Sequence, residues 1–154
     1  MLDWLQSLPP ALLLQRSGVA YLIVNALHIA FIGALAGAIV ALDLRLLGLF
    51  KSIPLPTMGP FLSRYAATAL VLAIITGVLL FSVQPYDYTP NVAFRVKLAL
   101  IAAGVVNAVW LHAGPHWKQG VLQNTVSARV KAHAAVSICI WPAALLAGRW
   151  IAFV

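Results

Sequence analysis

Few side chains in this sequence could do chemistry, and one of them sits where it is expensive. His28 lies inside the apolar run VAYLIVNALHIAFIGALAGAIVALDLRLLG, residues 19–48, which is long enough to cross a bilayer. Arg, Lys or Asp in hydrocarbon costs about 2.5–3.5 kcal/mol on insertion scales, so a polar ring there is a functional-site candidate by default. Asn25 stands one turn earlier on nearly the same face. A later run, residues 93–113, carries Gly104, Ala108 and His112 at i, i+4 and i+8, so two small residues and a histidine share one stripe. A flat macrocycle could lie against it. Lys97 falls on that face near the start of the run, Arg95 stands beside it, and His133 opens the last apolar run at about the depth of His112.

Histidines on facing helices are a means of holding haem in a membrane, because imidazole ligates iron and the helices shield the porphyrin from water. Helix rise limits the pairing. His28 lies near mid-membrane and His112 on the order of 12 Å further in, so a clamp of both on one iron is strained. His112 and His133 match better in depth, as ligands of a second haem or as residues of the interface. Haem propionates pointing outward from His28 would reach the level of Lys97 and Arg95, whose charges would neutralise them; the same two side chains could instead snorkel to the interface. A structural alternative for His28 is a hydrogen bond between helices, to Asn25, Thr68 or Thr76. His116 in the GPHWKQG connection reads as a surface residue, and Asp43 with Arg45 as the marked end of the first span, through local pairing or capping.

The elements that must position these residues are membrane spans. A chain that is 63% hydrophobic and 8% charged, with mean hydropathy +0.98, cannot bury that much apolar surface in a soluble domain of 154 residues. Its net charge of +7 comes from basic residues scattered singly, which fits membrane topology and not nucleic acid. Four spans are expected at about 19–42, 65–83, 93–113 and 132–154, preceded by a short N-terminal interfacial helix. Pro54, Pro56 and Pro60 are expected to break helix and form a loop, QPYDYTPN to form a turn-rich connection, and Pro142 to kink the fourth span. The fold class is all-α, a single up-down four-helix bundle filling residues 1–154. Arg45, Lys51, Arg64, Lys118, Arg129 and Lys131 flank the first and third connections, six of ten basic residues, which places both termini outside a bacterial inner membrane. Gly33 and Gly37 form G-x-x-x-G in a ladder of small residues, expected to pack inside the bundle, with contact between protomers as the alternative. Tryptophans near span ends read as interfacial anchors. The single Cys139 excludes an intramolecular disulfide framework and a Cys-based zinc or iron–sulfur site, and two methionines leave few soft ligands for Cu(I).

Four segments, H-I-x-x-I-G-x-L-x-G from His28 to Gly37, D-L-R-L-L-G from Asp43 to Gly48, F-R-V-K-L from Phe94 to Leu98 and N-A-V-W-L-H from Asn107 to His112, carry a resemblance over most of the chain. Together they resemble an uncharacterised family of small bacterial four-helix membrane proteins. More remotely, a histidine in the first span and a lysine opening the third are similar to the four-helix bacterial protoporphyrinogen oxidases, which bind b-type haem, and to the membrane domains of copper-resistance D proteins. The oxidase resemblance implies that His28 and Lys97 are the functional pair, while the D-L-R-L-L-G segment departs from the oxidase pattern.

The expectation is therefore a haem b protein of the inner membrane, acting in electron transfer or redox chemistry with quinone or a porphyrinogen. His28, Lys97, Arg95, Asn25, Gly104 and Ala108 would contact the cofactor, and His28, His112 and His133 are the ligand candidates. The competing expectations are copper or other metal transport along a path of histidines, and a non-catalytic accessory subunit docked in a homo-oligomer or larger membrane complex through its small-residue stripe.

Overall fold

Ser17, Asn91 and Ser127 stand just ahead of apolar runs, and each accepts a backbone N–H that begins a helix: from Ala20 at 3.2 Å, Phe94 at 3.1 Å and Val130 at 3.4 Å. The computed structural model describes residues 2–153, in the order α1 (Asp3–Gln6), α2 (Pro9–Arg16), α3 (Gly18–Leu47), α4 (Leu55–Val83), α5 (Pro85–Tyr88), α6 (Val92–Ala113), α7 (Pro115–Gln123), α8 (Ala128–Trp150) and a closing 3-10 turn (Ile151–Phe153). No strand occurs among the described residues. Helices α3, α4, α6 and α8 are long enough to span a membrane, and their best stretches have mean hydropathies of 2.1, 2.5, 1.8 and 1.6. The chain is an all-helical, multi-pass four-helix membrane bundle.

Two expectations about the ends of elements are corrected. The three prolines do not form a loop: Pro54 precedes α4 in an extended conformation, Pro56 lies in its first turn and Pro60 inside it, so α4 begins at Leu55 instead of near residue 65. First-turn N–H groups have no partner in a helix anyway, so proline costs little there. The N-terminal segment is two short helices, and α2 buries Ala11 and Leu14 against the bundle. At the other end of α3, Gly48 adopts φ 115° and lets Leu49 N–H bond back to the Leu44 carbonyl at 2.9 Å, a Schellman closure.

The spans pack unevenly. α3 lies along α4 and α8, and α6 along α8, whereas α4 and α6 make no extended contact. A seam is left between α4 and α6. On the side that carries the termini it is closed by the stacked rings of Phe81 and Phe94, 5.5 Å apart. On the opposite, connector side it is bridged by Ser63 and His112 at 2.9 Å. A core of Leu42, Leu46, Leu55, Leu111, Trp117, Val130 and Ala134 seals that connector side. Trp117 is therefore a buried packing residue covering Gly59, and not an interfacial anchor.

Gly33 and Gly37 also depart from expectation. Both are exposed, and a Cβ built on either meets nothing within 4 Å, so the G-x-x-x-G faces away from the bundle. The glycine that permits close packing is Gly104, where an added Cβ would lie 2.9 Å from the buried Trp141 indole. Gly104→Ala should destabilise the bundle by about 1–3 kcal/mol through overpacking. Thermal unfolding in detergent checks this, and Trp141→Leu in the same chain should recover much of the loss.

The terminal side carries a pH-dependent dock. Tyr86 hydroxyl donates to Asp3 at 3.0 Å, and this bond holds the Asp3 carboxyl below its ordinary value. A depressed carboxyl stabilises the docked form above its ordinary pKa, and that contribution fades as pH falls through the lowered value. Acidification below about pH 4 should therefore loosen the α1 contact, seen as a change in Trp4 fluorescence, and Tyr86→Phe should shift the transition upward.

Candidate functional site

His28 is held by α4. Thr76 has one hydroxyl proton, and it is directed at the carbonyls of Leu72 and Ala73, 2.8 and 3.2 Å away. The Thr76 oxygen therefore accepts from Nδ1–H of His28 at 2.9 Å. A neutral imidazole protonated at Nδ1 keeps its lone pair on Nε2, which is the atom free to bind a ligand. Gly77 makes room for this arrangement: a Cβ there would stand 3.1 Å from Cε1 of the ring. Thr76 as the polar partner was among the sequence expectations, but Gly77 was not, because a glycine in an apolar span carries no sign of what it faces.

Of the other two candidate ligands, His112 is bonded differently, while His133 also has Nδ1 engaged and makes no hydrogen bond through Nε2 among the described residues. Nδ1 of His112 donates to the Ala108 carbonyl at 2.7 Å, and Nε2 lies 2.9 Å from Ser63 Oγ, whose single proton is shared between it and the Gly59 carbonyl 2.8 Å away, so both nitrogens face a polar neighbour. His133 donates from Nδ1 to Asn107 Oδ1 at 2.7 Å, and Asn107 Nδ2 returns a bond to the His133 carbonyl at 3.1 Å. His112 thus faces α4 and His133 faces α6, and the pair matched by depth does not converge.

Levels along the bundle follow from these contacts. His28 is level with Thr76 and His112 with Ser63, thirteen residues or about 20 Å apart along α4. The sequence arithmetic gave about 12 Å. The larger separation comes from the register of α3 on α4, which brings His28 toward the terminal side, and it puts a shared iron out of reach. Lys97 lies fifteen residues before His112 on α6, about 22 Å toward the same side, so it shares the level of His28. Its charge is within electrostatic reach of the ring. Its stem lies across Gly148 of α8, with Cδ 3.4 Å from a Cβ built there, and its ammonium has no anionic partner among the described residues.

The remaining candidates are dispersed. Arg95 is exposed and, two residues from Lys97, points to a different side of α6. Asn25 is exposed and forms no side-chain hydrogen bond among the described residues. Gly104 is covered by Trp141, so the stripe expected to receive a flat group is already filled at that position. Ala108 lines an internal cavity nearer the connector side. Among the described residues no three His, Cys, Asp or Glu side chains converge, so no all-protein metal cage is formed. Comparison with known protein families, with curated proteins and with solved structures finds no match.

Sequence reasoning missed Asp43. It was expected to pair or cap locally at a span end, but it is 4% exposed and faces Ser137 of α8. Arg45 is bonded elsewhere, to the Ile53 carbonyl at 2.8 Å and to Asn124 Oδ1 at 3.2 Å. The available signal was that Asp43 and Arg45, two residues apart on one helix, cannot face each other.

The bonding of His28 is directly testable. Nitrogen NMR of the labelled protein at neutral pH should find His28 protonated at Nδ1 and bare at Nε2. Thr76→Val should yield a mixture of tautomers, because the only side-chain acceptor for Nδ1–H is then gone.

Proposed function

We propose that this protein binds haem b in the membrane and acts in electron transfer or redox chemistry, with a quinone or a porphyrinogen as redox partner. The observation that carries this reading is the bonding of His28 deep in a span: Nδ1 meets Thr76, whose own proton goes to backbone carbonyls, and Nε2 makes no hydrogen bond among the described residues; His133 has the same pattern but lies at the connector end of α8. Metal-ligating histidines have this pattern, with the second nitrogen fixed by a neighbouring acceptor. A porphyrin brings four ligands of its own, so one imidazole is enough, whereas a naked metal ion needs the cluster that is missing among the described residues. Haem, when bound, supplies one-electron chemistry. The chain's contribution is to hold the ring of His28 through Thr76, to seat that ring on Gly77, and to present Lys97 at the same level as a cation for a propionate or another anionic group. The seam between α4 and α6 is the natural entry for a flat ligand. The distribution of basic residues favours a bacterial cytoplasmic membrane with both termini on the periplasmic side.

A second reading has one observation in its favour: the outward face with Gly33 and Gly37 suits docking on another membrane helix, as an accessory subunit would need. It predicts loss of assembly in Gly33→Leu with the histidine variants silent.

The absorption spectrum of protein purified in mild detergent, after expression with ample haem, tests the first reading. A Soret band is expected in the wild type, and its absence sinks the proposal. His28→Ala should remove most of the band and His112→Ala should keep it. Thr76→Val should weaken haem retention by about tenfold, and Lys97→Ala should weaken it more than Lys131→Ala does.

A further inference from the structure

On the connector half, the space between α4 and α6 widens into a cavity of about 290 Å³ that α3, α4, α6 and α8 all line. Most of its wall is apolar, including Leu35, Ile39, Leu70, Val105 and the indole of Trp141. Ala67 and Val109 line it and are also exposed on the outer surface, so the cavity opens sideways, toward lipid. One carboxylate borders it. Asp43 is 4% exposed, its carboxyl faces Ser137 of α8, and Oδ2 has no partner among the described residues. Other polar groups of the wall are already occupied: Asn107 clasps His133, and Ser63 bonds His112. What the cavity lacks is a hydrogen-bond donor for Asp43, and an unpaired buried polar atom is costly.

We propose that this cavity binds a lipid-soluble hydroquinone, with its ring among the apolar side chains and a hydroxyl donating to Oδ2 of Asp43. The inference deepens the redox reading above by naming the reduced partner, and it rests on that reading only for the partner's role; the binding step needs no haem. A hard metal ion is a poor occupant, since it takes six or more oxygens and the wall has few that are uncommitted. An ammonium is poorer too, because one ion pair in apolar walls recovers its desolvation cost badly. A neutral hydroxyl meets the single unmet acceptor, and an aromatic ring suits the face of Trp141. While Asp43 is ionised, the oxidised quinone, which carries only acceptors, finds no donor there and binds more weakly than the reduced form.

The test is anaerobic calorimetric titration of the full-length protein in detergent at about pH 9, where carboxyls are ionised, with a decyl-substituted benzohydroquinone, its quinone and dodecylamine. The hydroquinone should bind at least about tenfold more tightly than the quinone. Asn offers donors to a quinone carbonyl, so Asp43→Asn should collapse or invert that preference. Ala67→Trp, at the lipid-facing mouth, should abolish binding while leaving helix content unchanged. Unchanged hydroquinone preference in Asp43→Asn, full affinity in Ala67→Trp, or tight binding of the amine alone would each overturn the proposal. Should Asp43→Asn fail to fold, Ala67→Trp decides. Hydroquinone affinity should survive in His28→Ala; a wild-type Soret band with no hydroquinone binding overturns this site and leaves the haem reading standing.

Discussion

Hydrocarbon supplies no hydrogen bonds, so each polar side chain in these spans must find its partner within the protein or in a ligand. The chain meets that demand almost everywhere. His112 has a polar neighbour at both nitrogens, His133 and Asn107 clasp one another, and Arg45 is absorbed by the Ile53 carbonyl and Asn124. Ser82 and Thr76 return their hydroxyl protons to backbone carbonyls of the preceding turn. Against this background a few atoms stand out: Nε2 of His28 and of His133, the Asn25 amide, Nζ of Lys97 and Oδ2 of Asp43. Saturation elsewhere makes these exceptions informative.

Unequal packing gives the exceptions somewhere to act. The close pairs α3 with α4 and α6 with α8 use small residues for backbone approach, as at Gly77 under His28, Gly148 under Lys97 and Gly104 under Trp141. None of these glycines is needed for a turn; each makes room for one large or functional side chain from the neighbouring helix. With those pairs formed and α3 joined to α8, α4 and α6 face each other mainly through side chains, among them Phe81 on Phe94 at one end and Ser63 on His112 at the other. The space between them is a consequence of which helices were given the small residues.

The bundle itself was legible because span length and hydropathy are properties of single helices. His28 and Lys97 were legible as candidates because an ionisable group in an apolar run is rare whatever it touches. Register was not. The depth of His28 relative to His112 depends on how α3 slides along α4, which no single span encodes. Faces were legible only in part, since all four spans are apolar nearly all round, and so Gly33 with Gly37 was placed inside when it lies outside. The prolines near residue 55 misled for a different reason: their effect depends on whether they fall in a first turn, and only the capped helix fixes where that turn is.

The separation of Lys97 from Asp43 bears on what the two groups can do. Both lie in the spans with opposite ordinary charges, and mutual neutralisation would make a ligand unnecessary at either. Asp43 follows His28 by fifteen residues on α3, so it lies about 22 Å from the level that His28 and Lys97 share. At that distance and an effective dielectric constant of about 20, their attraction is under about 1 kcal/mol. Removing either ion from water costs several times more. The pair therefore cannot stabilise itself across the bundle, and each group must be answered locally. Lys97 can be answered only on the terminal side and Asp43 only on the connector side, by a local partner or by a change of protonation, so the two groups act independently at two depths.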